Sequence, residues 1–125
     1  MVEVNELKRG LFCKINRAED GNDSLALKHA PTFCIPEKVK AGEPFEVALT
    51  VGEIPAENEK EHHIQWLELY AGEVFLGRVD FTPEITYPEV TFTIRLAHEM
   101  EATLRAISRC NLHGLWESSK KIQVV

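Results

Sequence analysis

From residue 44 to the end of the chain, apolar side chains recur at every second position. In "PFEVALTV" (44–51), Phe45, Val47, Leu49 and Val51 alternate with Glu46, Ala48 and Thr50. The same alternation returns in "IQWLELY" (64–70), "VFLGRVDF" (74–81), "EVTFTIRL" (89–96), "ATLRAIS" (102–108) and "KKIQVV" (120–125). A period of two belongs to a strand with one face buried, since successive side chains of an extended chain point to opposite sides. Threonine, valine, isoleucine and aromatics fill these runs, as β-propensity favours. The intervening "AGE", "TPEITYP" and "AHEME" read as turns.

Six or seven short antiparallel strands at this spacing predict an all-β fold, an immunoglobulin-like two-sheet β-sandwich. The Cys…Trp…Cys core of an immunoglobulin domain proper is missing. A chain of 125 residues with 44% hydrophobic residues is long enough for one core. It shows no internal repeat and no low-complexity tract. Residues 1–20 could form a short amphipathic helix, and the loop signal "EDGNDS" (19–24) sets that segment apart. We therefore divide the chain into an N-terminal extension, 1–26, and a sandwich domain, 27–125.

Charge and composition exclude several classes of function. A net charge of −6 argues against nucleic acid, whose phosphates demand a basic face. The first residues lack the continuous apolar core of a signal peptide, and no stretch approaches the roughly 20 apolar residues of a membrane span. Cys13, Cys34 and Cys110 are odd in number and unpatterned in spacing, so we expect no disulfide framework and a cytoplasmic location.

The chemistry-bearing residues are three cysteines and five histidines. His98 falls in a hairpin connection, where an exposed imidazole needs no further account. His29 lies in "LALKHAPTF" just before the strands, and His62 and His63 stand at the mouth of the 64–70 strand. Neighbours on a strand face opposite ways, so only one of that pair can address a given centre. Cys110 and His113, in "RCNLHGLWES" (109–118), would also point apart on a continuous strand. The Asn and Gly of "NLHG" allow the chain to turn after Cys110 and bring thiolate and imidazole together. Such a pair suits iron, zinc or copper. An activated cysteine nucleophile is the rival reading, although no orienting third group and no oxyanion-hole motif accompany it.

"KHAP" (28–31), "EHHIQWLELY" (61–70), "GRVDF" (77–81) and "CNLHGLWES" (110–118), in this order and spacing, resemble the superoxide reductases of the neelaredoxin and desulfoferrodoxin group. The resemblance spans about residues 27–125 and implies an immunoglobulin-like sandwich around a mononuclear non-haem iron with four equatorial histidines and an axial cysteinate. Carried over by position, it makes His29, His62, Cys110 and His113 metal ligands and leaves His63 outside the centre. The implied reaction is reduction of superoxide to hydrogen peroxide. The axial thiolate of Cys110 donates electron density to the iron, and Lys28 offers a positive charge to the incoming anion, unless it is merely a solvated surface lysine. A rubredoxin or similar small redox protein is the implied electron donor, and we expect a homo-oligomer with no membrane partner.

This chain departs from the family pattern in three places. The histidine expected in an "IPHP" segment is Ala56, within "EIPAEN". The glutamate expected two residues before the "KHAP" histidine is Leu27, and the four-cysteine iron module of desulfoferrodoxins is missing from residues 1–26. Three readings stay open: a superoxide reductase with water, Glu57 or Glu59 filling the gap left at Ala56; a relative whose His3Cys set holds iron or zinc without efficient turnover; or a metal-free interaction module.

Overall fold

The computed structural model describes residues 11–20, 23–52 and 59–125. Alternation along the chain becomes two facing sheets, as the sequence predicts. The strands are β1 (Ile15–Asn16), β2 (Pro31–Cys34), β3 (Lys38–Val39), β4 (Pro44–Val51), β5 (Ile64–Ala71), β6 (Val74–Asp80), β7 (Glu89–Arg95), β8 (Met100–Cys110) and β9 (Gly114–Val124). One sheet runs β1-β9-β8-β5-β6, with β3 also on β9, and the other is β2-β4-β7. The pairings between the longer strands are antiparallel, whereas β1 and β3 lie parallel to opposite ends of β9. Several described elements lie outside the runs read as strands, among them β2 and β3. Residues 11–12 are helical, the first ten positions of the expected amphipathic helix lie outside the described residues, and Ile15–Asn16 forms a strand. A seven-residue helix, α1 (Asp23–His29), precedes β2.

The inward faces supply the core. Val47, Leu49 and Val51 of β4 meet Leu67 and Leu69 of β5, Leu104 and Ala106 of β8, and Ile122 of β9, none of them more than 1% exposed. Burial of such side chains stabilises the fold by roughly 1.5–3 kcal/mol each. Along β8 the inward positions continue past the apolar residues to Ser108 and Cys110, both fully buried. Cys110 thus belongs to the core cluster at one end of the sandwich.

The N-terminal strand is locked onto that same end. Asn16, fully buried, donates through Nδ2 to the carbonyls of Leu11 (2.8 Å) and Leu115 (2.9 Å). Glu117 receives Arg17 on one side and Arg105 on the other, each at 2.8 Å. Burial alone would raise the Glu117 carboxyl, but hydrogen bonds and charge from Arg105 and Arg17 outweigh it and hold the group below its ordinary range.

Among the described residues, no helix is long and apolar enough to cross a membrane.

Candidate metal centre

The turn after Cys110 forms as its Asn and Gly allow. Cys110 closes β8, residues 111–113 reverse the chain, and Gly114 opens β9 opposite Cys110. Gly114 has φ +79°, and a Cβ there would lie 2.6 Å from the Leu11 carbonyl oxygen. Only glycine meets both conditions. The reversal sets Cys110 Sγ 3.6 Å from His113 Nδ1.

His29 arrives from the other sheet's side on the last turn of α1, which Pro31 prevents from continuing. Two bonds fix it. The Ser108 hydroxyl donates to the His29 carbonyl (2.6 Å), and His29 Nδ1 lies 2.8 Å from the Leu25 carbonyl. A carbonyl can only accept, so Nδ1 carries the proton and Nε2 keeps its lone pair. Nε2 faces His62 Nε2 at 3.3 Å. His29 is 2% exposed, and its pKa is pushed down to about 4. Loss of hydration is the main cause; the bond to Leu25 opposes it, and His113, His62 and Lys28 reinforce it. A neutral imidazole at ordinary pH is what a metal requires.

His62 precedes β5 on an irregular segment. Its backbone N–H and C=O pair reciprocally with Glu59, at 3.2 and 3.0 Å. Beyond it, β5 carries a bulge between Ile64, opposite Cys110, and Trp66, opposite Arg109. The extra residue, Gln65, accepts a hydrogen bond from Arg109. The bulge shifts the inward parity of β5 just where its leading segment must cross the end of β8.

One ligand atom from each of His29, His62, Cys110 and His113 lies within 4.8 Å of the other three. The imidazole rings of His29 and His113 are 4.6 Å apart between centroids, and those of His62 and His113 5.1 Å. Trp116, fully buried, stacks on His29 at 5.9 Å and donates from its indole N–H to the His113 carbonyl at 3.0 Å. Three imidazoles and one thiol, half to fully buried, are a donor set that fits a transition metal.

The family model described as Desulfoferrodoxin matches residues 21–119. This chain belongs to the desulfoferrodoxin family. It is similar to the superoxide reductase (neelaredoxin) from Ignicoccus hospitalis, with a TM-score of 0.76 and 45% identity over 89% of this chain and 95% of that one. The superoxide reductase of Pyrococcus horikoshii is 37% identical over 77% of this chain and 88% of its own, and the neelaredoxin of Megalodesulfovibrio gigas 35% identical over 76% and 86%.

The other expected positions are distributed as follows. Lys28 is exposed on the last turn of α1, beside His29. His63 stands outside the cluster, its Nδ1 buried without a hydrogen-bond partner among the described residues. His98 is exposed, as a hairpin connection suggests. Ala56 and Glu57 lie outside the described residues, and Glu59 is exposed. Cys13 and Cys34 are free and exposed, Cys110 free and buried.

Sequence reasoning missed the supporting groups Ser108, Asn111 and Trp116. Ser108 left a signal: it is a hydroxyl at an inward position of the alternating "ATLRAIS" run, where a polar atom needs a partner. Asn111 registered only as a turn former, and nothing in the sequence marks Trp116 as more than a core aromatic.

Proposed function

We propose that this chain is a superoxide reductase that reduces superoxide to hydrogen peroxide at a mononuclear non-haem iron held by His29, His62, His113 and Cys110. The observation that carries the reading is the convergence of these four donors from three separate segments, in a member of the desulfoferrodoxin family. Iron, when bound, would supply one electron to superoxide, and two protons would complete hydrogen peroxide.

The chain's own residues have separable parts in this. Cys110, buried at the end of β8, contributes a soft thiolate whose electron density tunes the metal. His29 contributes a neutral Nε2 because Leu25 holds the proton on Nδ1. His113 contributes Nδ1, with its carbonyl tied to Trp116. Lys28, exposed beside His29, raises the local concentration of an anionic substrate. In this reading residues 27–125 form the metal-binding unit and 1–26 an extension, of which Ile15–Asn16 pairs with β9. The electron comes from a rubredoxin or similar small redox protein. The protein is a cytoplasmic homo-oligomer; its free cysteines support a reducing compartment.

A second reading is favoured by one observation. Position 56 is alanine, the donors that converge among the described residues number four, and His3Cys is a comfortable tetrahedral set for zinc. Metal analysis of protein purified without chelators, joined to an optical spectrum and a superoxide-consumption assay, separates the two. About one iron per chain, a visible thiolate-to-iron band after oxidation and catalysed superoxide consumption are expected. A colourless zinc protein without turnover would favour the second reading. Metal content unchanged by combined substitution of His29, His62 and His113 with alanine would overturn both.

A further inference from the structure

The ligands differ in how they are held. Cys110 sits in a long ladder, His29 on a helix pinned by Ser108, and His113 in a turn tied to Trp116. His62 stands before the first residue of β5, where its backbone N–H and C=O pair with Glu59 of the same loop. Its two neighbours, however, are both fastened to one residue. Asn111 Oδ1 accepts from the His63 N–H at 2.9 Å, and Asn111 Nδ2 donates to the Glu61 carbonyl at 2.9 Å. The Asn111 N–H adds a bond to the His63 carbonyl at 3.2 Å.

We infer that Asn111 is the positioning residue for His62, fixing that imidazole against Cys110 by clamping the chain on either side of it. This rests on the metal-centre reading above. Asn111 follows Cys110 directly, so one residue sets the spacing between a thiolate and an imidazole 48 positions away. The side chain must be an amide: one end has to accept from an N–H while the other donates to a C=O two residues earlier, and both demands fix which atom is oxygen. An aspartate would set a carboxylate oxygen against the Glu61 carbonyl, and alanine would offer nothing to either group. Each clamp bond satisfies a backbone group of an irregular segment, so its loss frees the loop and with it the direction of His62.

The test uses the full-length apoprotein titrated with cobalt(II) against a competing chelator, read through the d–d and thiolate-to-cobalt bands. Asn111→Ala should weaken cobalt binding about tenfold or more, the range seen when a group supporting a metal ligand is lost. In the His62→Ala background the same change should cost almost nothing further, because the residue it positions is gone. In the His29→Ala background it should cost its full amount again. A general loosening of the fold would instead give equal losses in both backgrounds, and that result, or unchanged affinity in Asn111→Ala, overturns the inference. If His62→Ala alone leaves affinity unaltered, His62 is not a ligand and the metal-centre reading fails with the inference. Asn111→Asp provides a second variant: its added charge acts in both His62 backgrounds, so coupling to His62 is still read as the difference. Failure of both Asn111 variants to give a cooperative thermal unfolding transition would make the residue a requirement of the fold and overturn the positioning role.

Discussion

The Nε2 atoms of His29 and His62 face each other at 3.3 Å across 33 residues of chain. The Leu25 carbonyl keeps the His29 proton on Nδ1, so His29 Nε2 offers its lone pair, either to an Nε2–H of His62 in the metal-free chain or to a metal in the proposed holoprotein.

The metal-free protein should lose stability as the pH falls from 6.5 towards 4. The His29 pKa is depressed from 6.5 to about 4 by burial, so within that window the unfolded chain binds a proton that the folded one excludes. The contribution is fully present above pH 6.5 and is lost through the folded value. Thermal unfolding of apoprotein across this range checks it, and His29→Ala should remove this part of the slope.

Glu117 should add a second acid-sensitive window at lower pH. Its folded pKa lies below the ordinary 4.5, held there by Arg105 and Arg17 against the opposing effect of burial. Its stabilisation is therefore present above 4.5 and fades as the pH drops through the folded value. Glu117→Gln should cost about 1–3 kcal/mol near neutrality, the scale of hydrogen bonds to a charged group, and abolish that window. Denaturant unfolding at several pH values reads both effects.

Cys110→Ser should remove the visible thiolate-to-iron band and suppress catalysed superoxide consumption while leaving the β-sandwich formed. Serine is of similar size but a poor, hard ligand, so the change falls on the electronics of the metal. Cys13→Ser and Cys34→Ser, both at exposed positions, should leave band and activity intact. The optical spectrum, the activity assay and far-ultraviolet circular dichroism distinguish these outcomes.

Gly114→Ala should both destabilise the protein and weaken metal binding. The substituted residue meets a φ of +79° and the Leu11 carbonyl oxygen at 2.6 Å, so either the turn or the N-terminal segment must move. Backbone strain of this kind costs about 1–3 kcal/mol. Because the turn joins Cys110 to His113, its movement is transmitted to two ligands. Denaturant midpoints and metal competition titrations should shift together.

The sequence by itself determined the longer strands and singled out the candidate ligands. Alternation in "PFEVALTV" marks Pro44–Val51 as a half-buried strand because pleating is a local property of the backbone. The turn at 111–113 was legible for the same reason: Asn and Gly change the local conformational energy wherever they stand. His29, His62, Cys110 and His113 could be named as candidate ligands from the resemblance of their motifs to those of the superoxide reductases. What only the tertiary structure decided is how they meet. The helix carrying His29, the bulge at Gln65, the parallel docking of Ile15–Asn16 on β9 and the Asn111 clamp all depend on partners tens of residues away. No local pattern encodes such a distance. It emerges when burial of the two apolar faces fixes the register of β8 and β9, and the polar groups at that end of the sandwich pair with those the register brings within reach.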